Sequence, residues 1–197
     1  MRKIPTLFQR DPDDRRHVLP EVTPGCEWVL AGEGRATQKF DGTCVMLDPD
    51  LRWWARREVK PGRAAPADFV SVSTDEVTGK TVGWEPVEQS AFARWHDEAL
   101  RQAGDTDVPG HDRPLLPGTY ELIGPKVNGN PERSESHRLV PHATAPTMPV
   151  PDLSFEGIRA AALRWGADGV EGVVWHHGDG ERFVKIKARD FRQTTAT

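Results

Sequence analysis

Cysteine is nearly absent from this 197-residue chain, with Cys26 and Cys44 as the only two. Two thiols without metal-type spacing exclude a disulfide framework and a cysteine-based zinc site, and they favour a reducing compartment. His176 and His177 are adjacent, so in a strand they face opposite ways, and with His137 and His142 in a loop no structural zinc is expected. No run approaches the roughly 18 apolar residues of a membrane span. Met1-Arg2-Lys3-Ile4-Pro5 lacks the apolar stretch of a signal peptide, so the expectation is a cytoplasmic protein without a membrane partner. A Walker loop and a Gly-rich phosphate loop are both missing, which disfavours kinase-like and ATP-grasp-type enzymes. Gly32-Glu33-Gly34 is too short for a dinucleotide fingerprint and reads as a plain loop.

What the chain has in quantity is turn chemistry. Glycine and proline number 18 and 17, pointing to many loops rather than a helical bundle. The length suits a single domain spanning 1–197 that can bury a proper core. A formal charge of −4 argues against wholesale wrapping of nucleic acid but leaves room for a local basic groove. Seven tryptophans against one tyrosine leave rings to spare for stacking surfaces.

Residues 1–25 read as an irregular, Arg- and Asp-rich N-terminal arm with one short strand. Strands are expected at 27–30, 36–40, 44–48, 51–57 and 69–72, and again at 118–124, 169–175 and 182–188. Helices are expected over 88–102, with Phe92, Trp95 and Ala99 on one face, and over about 154–165, capped by Asp152 or Ser154 and ended by Gly166. The stretches 104–118 and 125–151 read as loops, the second long enough to suggest function. Strands in hairpins with a few flanking helices make an α+β domain built on antiparallel sheet.

Several residues stand out chemically. Lys39-Phe40-Asp41-Gly42 places a lysine two residues before an Asp-Gly pair, which is also a strong hairpin signal. Arg56, Arg57, Lys60 and Arg63 form a basic cluster suited to phosphates. Glu121 interrupts an apolar strand, and Glu171 precedes Gly172-Val173-Val174. In Phe183-Val184-Lys185-Ile186-Lys187 two lysines alternate onto one face, within reach of Glu171 if the last two strands pair.

Taken in order, these motifs resemble the covalent nucleotidyltransferase superfamily of ATP-dependent ligases and capping guanylyltransferases. The resemblance runs from Lys39 to Lys187, and Cys26-Glu27-Trp28-Val29-Leu30 with Asp41-Gly42-Thr43 is most similar to the small stand-alone RNA ligases. It implies one adenylylation domain, ATP as AMP donor and Mg²⁺ as metal. Lys39 would attack the α-phosphate, AMP would pass to an RNA 5′-phosphate, and a 3′-hydroxyl would displace it. A free lysine is neutral less than about one part in a thousand at pH 7, so the amine must be activated, and Lys185, Lys187 and the metal would supply positive charge. The resemblance assigns the metal to Glu171, a ribose hydroxyl to Glu121, and ribose or phosphate to Arg56 or Arg57, with Arg57 preferred. Asp41 would position Lys39 and the metal's waters, Gly42 would let the backbone close on the nucleotide, and Thr37 and Gln38 would read the adenine edge. Trp84 is the candidate stacking ring. Ten residues follow Lys187, so no C-terminal oligonucleotide-binding barrel is expected, and Arg10, Arg15, Arg16 or Lys126 is left to orient pyrophosphate. The alternatives are a ligase for nicked DNA or mixed duplexes and a non-catalytic nucleotide- or RNA-end-binding module.

Overall fold

The computed structural model describes residues 3–104 and 114–192, so most of the loop expected at 104–118 lies outside the described residues. The fold is α+β. Every paired strand is antiparallel to its neighbour, and three α-helices accompany the sheets among the described residues. Contacts divide the chain into two compact units. Unit 1 holds Lys3 and Asp41–Thr144, whereas unit 2 holds Ile4–Phe40 and the chain from Ala145 onward. The boundary falls between Phe40 and Asp41, inside the Lys39–Gly42 motif.

In unit 2, β1 (Phe8–Arg10) pairs with β2 (Val18–Val22), followed by the single-turn α1 (Glu27–Leu30) and β3 (Arg35–Lys39). The chain returns with α3 (Phe155–Ala167), β10 (Gly172–His176) and β11 (Phe183–Lys187). The sheet order is β11-β10-β3. Alternation along these strands turns Ala36, Val173, Trp175, Val184 and Ile186 to one face, where they are buried against Ile158, Ala161, Ala162 and Trp165 of α3. Each large aliphatic side chain so buried contributes about 1.5–3 kcal/mol. Ser154 caps α3 by accepting a hydrogen bond from the Gly157 N–H at 3.1 Å.

Unit 1 carries a six-stranded sheet made of β4 (Thr43–Leu47), β5 (Trp53–Val59), β6 (Val70–Thr74), β7 (Thr81–Pro86), β8 (Gly118–Ile123) and β9 (Arg138–Pro141), in the order β6-β7-β5-β4-β8-β9. Helix α2 (Ala93–Ala103) belongs to this unit, and its Ala99 packs with Val45, Leu47, Ala55, Tyr120 and Leu122. These residues share one sheet face by register, so the other face is left to Cys44, Met46, Trp54, Arg56, Trp84, Thr119 and Glu121.

Several expectations need correction. Residues 27–30 form helix α1 rather than a strand: Trp28 and Val29 are both buried, which strand alternation would forbid for neighbours facing a single core. The N-terminal arm holds two strands rather than one, because β1 and β2 pair, and Leu7 and Phe8 enter the core. Helix α3 runs through Gly166 to Ala167. Strand β7 and, within the expected long loop, strand β9 went unforeseen; each ends in proline, which β9 tolerates at the sheet edge. Asp41-Gly42 does not close a hairpin, since β3 pairs with β10 while β4 pairs with β5 and β8. No described helix is long and apolar enough to cross a membrane.

Candidate functional site

The face of the unit 2 sheet turned away from α3 carries three rows of residues in register. Lys39, Gly172 and Lys187 form one row, Thr37, Val174 and Lys185 the next, and Arg35, His176 and Phe183 the third. The two lysines of the first row therefore flank a glycine. A side chain at 172 would collide with the carbonyl oxygen of Ile186, so only glycine fits there. The Glu171 carboxylate takes up both charges: Lys39 Nζ donates to Oε2 and Lys187 Nζ contacts Oε1. Arg189 adds a third cation, with its guanidinium 3.6 Å from Oε1. The Asp190 carboxylate accepts from the Lys187 N–H at 2.9 Å and from Arg10 at 2.9 Å, fixing the end of β11.

Electrostatics of this cluster run in two opposing directions. Burial pushes the Glu171 carboxyl upward, but the Lys39 charge and the hydrogen bonds from Lys187 and Lys39 outweigh it, leaving its pKa below the ordinary value. The side chain of Glu171 is 8% exposed, against 21% for Lys39 and 16% for Lys187. Two ammonium groups are thus held close together by a single desolvated carboxylate. Chemically, the arrangement sets two amines side by side on one sheet face, a pattern that can meet an anion.

Unit 1 contains a second cluster, centred on Glu121. Oε1 accepts from the Gly42 N–H at 3.0 Å, and Oε2 lies 3.0 Å from His142 Nε2. The other ring nitrogen of His142 lies 3.0 Å from Thr119 Oγ1. A Cβ on Gly42 would strike the Leu122 carbonyl oxygen, so the close approach to β8 requires glycine here. The loop after β8 holds the same backbone: Glu132 accepts from the Asp41 N–H at 2.8 Å, and Asn128 donates to the Gly42 carbonyl at 2.6 Å.

The remaining expected site residues scatter. Thr37 shares the face of Lys39, with its hydroxyl 2.9 Å from His176 Nε2, whereas Gln38 falls by register on the opposite, α3-facing side. Arg56 lies on the sheet face of Glu121, while Arg57 lies on the other face, 3.7 Å from the buried Glu85, so register favours Arg56 over the preferred Arg57. Lys185 stands one row from Lys39 on the same face. Lys126 is exposed in a left-handed backbone conformation in the loop after β8. Arg10 and Arg16 are held by Asp190 and Asp14, and Trp84 is buried. His142 and His176 were weighed only as zinc ligands, Asn128 was given no role of its own, and Glu132 and Arg189 went unnoticed in the sequence. Only Arg189, two residues past Lys187, carried a signal that could have found it.

Donor chemistry bears on Mg²⁺. Among the described residues no three His, Cys, Asp or Glu side chains converge to hold a metal. Glu171 supplies a hard carboxylate oxygen, which fits Mg²⁺ as an ion that takes most of its ligands from phosphate and water.

A family model for RNA ligase 1 matches residues 73–192, a span that takes in Glu121, Glu171, Lys185 and Lys187. RNA ligase 1 of Danio rerio is 27% identical over 216 aligned positions, covering 77% of this chain and 65% of that protein. RNA ligase 1 of Mus musculus is 31% identical and that of Rattus norvegicus 30%, each over 65% of this chain, covering 43% and 44% of those proteins. The chain thus spans less than two thirds of the length of the curated relatives it matches. With the family model covering more than half of its residues, the chain belongs to the RNA ligase 1 family.

Proposed function

We propose that this protein is an ATP-dependent RNA ligase that carries AMP on Lys39 and joins an RNA 5′-phosphate to a 3′-hydroxyl. The observation that carries the proposal is the Lys39–Glu171–Lys187 cluster on one sheet face, in a chain of the RNA ligase 1 family. In the first step Nζ of Lys39 loses a proton and forms a bond to the α-phosphorus as the bond to pyrophosphate breaks. That conversion removes the charge of Lys39 and with it the ion pair to Glu171. Lys187 and Lys185 meet the negative charge that gathers on the phosphate. Glu171 would hold Mg²⁺, which would supply further neutralisation of phosphate charge. Glu121 accepts from a ribose hydroxyl, and Arg56 faces the sugar or phosphate.

The test is incubation with Mg²⁺ and ATP labelled at the α-phosphate, followed by denaturation of the protein. Wild type should retain an acid-labile, alkali-stable label and Lys39→Ala should not. A variant that still takes up label would assign the nucleophile elsewhere, and an unlabelled wild type would remove the ligase reading. Offering matched RNA and DNA ends to the same preparation separates RNA joining from sealing of nicked DNA.

A further inference from the structure

Glu121 does not stand alone in unit 1, and its surroundings fix how it can be used. Thr119 and Glu121 lie two apart on β8, so both point from the same face of the sheet. Strand β9 pairs with β8 through Glu121↔Val140 and Tyr120↔Pro141, which delivers His142 beside them. The ring then spans the two side chains, 3.0 Å from Thr119 Oγ1 at Nδ1 and 3.0 Å from Glu121 Oε2 at Nε2. A carboxylate only accepts, so Nε2 carries the hydrogen, and in the neutral ring Nδ1 then accepts from the threonine hydroxyl. The chain of donors reads Thr119 O–H to His142, then His142 N–H to Glu121. Gly42 N–H completes it from the other side, at 3.0 Å to Oε1. Each carboxylate oxygen is thereby given one donor and keeps a lone pair for another.

We propose that His142 is a positioning residue that sets sugar selectivity: it locks the Glu121 carboxylate in the orientation that accepts from a ribose hydroxyl of the nucleotide, with Thr119 fixing the ring. This rests on the ligase reading. A carboxylate free to rotate would still hold its charge but would lose its aim, and discrimination against a deoxyribose depends on that aim. A site built to bind a hydroxyl rejects the analogue lacking it because its own polar group is left without a partner.

The experiment measures protein labelling with α-labelled ATP, 2′-deoxy-ATP and 3′-deoxy-ATP, extracting KM and the maximal rate for each. Wild type should prefer ATP over at least one deoxy analogue. His142→Phe keeps a flat ring but offers no hydrogen bond, and it should lower that preference about tenfold or more, the weight of one hydrogen bond to a charged group. The loss should appear mainly in KM for ATP, with KM for the rejected analogue little changed. His142→Gln, which restores a donor, should recover part of the preference. Thr119→Val should give a smaller loss with the ring in place, and it serves as the reading if the Phe variant fails to fold. Full selectivity in His142→Phe, or no recovery in His142→Gln, overturns the inference while leaving the ligase reading intact. A wild type that labels without any sugar preference overturns the role of Glu121 and this inference together. A wild type that takes no label removes the ligase reading itself.

Discussion

His96 on α2 makes a measurable claim about acid stability. Its side chain is 1% exposed, its ring sits edge-on to Trp53 at 4.6 Å, and among the described residues neither ring nitrogen has a hydrogen-bond partner. Burial pushes its pKa down from 6.5 to about 4, with Asp97 and Glu88 opposing only weakly. The folded protein therefore refuses a proton that the unfolded chain accepts. Stability is complete above pH 6.5 and is lost as the pH falls towards 4. At 1.36 kcal/mol per pH unit, that shift corresponds to roughly 3 kcal/mol. For a chain of this size the loss lowers the melting temperature by roughly 6–12 °C. Thermal unfolding should be followed from pH 8 to pH 4 in wild type and in His96→Phe, which keeps the aromatic contact with Trp53 but cannot titrate. Other acid-sensitive groups act in both proteins and cancel in the difference. The variant should be at least as stable at pH 7, since it leaves no polar atom stranded in the core, and its advantage should widen between pH 6.5 and 4. Parallel curves through that window would refute the reasoning, because a neutral, desolvated imidazole cannot behave so.

Three further outcomes follow from the charged groups. Glu171→Gln leaves Lys39, Lys187 and Arg189 facing one another without their carboxylate and should cost about 3 kcal/mol or more at pH 7. Because the pKa of Glu171 is depressed, its contribution is present above pH 4.5 and lost as pH falls through the lower folded value, so melts of variant and wild type should converge in acid. Arg56→Ala should slow lysyl-AMP formation by about tenfold or more, as expected for one charged hydrogen bond. Arg57→Ala should instead lower stability by stranding Glu85, whose carboxyl burial already pushes upward, and should leave labelling near wild type. Equal effects of the two on labelling would contradict the register argument.

How far the sequence carried the reading depended on whether a contact was local in pattern. Lys185 and Lys187 could be placed together because period-2 alternation is a property of one strand. Glu171 followed because a short turn joins its strand to theirs, and Lys39 joined them only through the ordered motifs. Arg56 and Arg57 could not be separated that way, since the choice depends on how β5 registers with β4 and β4 with β8. The face of Gln38 could not be read for the same reason: register with Val173 sets it. The Asp-Gly pair misled more directly, because its turn propensity is real while the strands on either side have partners far away in the chain. The place of His142 beside Glu121 could not be read, because β9 ends in proline and resembles loop until its pairing with β8 is known.

The insertion of residues 41–144 between the two segments of unit 2 has a consequence for biosynthesis. Unit 1 is almost wholly a continuous stretch and has all its strands once residue 141 has been made. Lys39 waits longer, since Glu171 lies 132 residues downstream and Lys187 follows later still. Contacts of such separation form slowly because closing so long a loop is entropically costly. On the ribosome, strand β3 bearing Lys39 therefore emerges early and lacks its partner β10 through the synthesis of an entire intervening unit. A chain that stalls before Glu171 and β10 yields unit 1 attached to an unpaired Lys39 strand, and such a product gains no lysine–carboxylate cluster however long it persists.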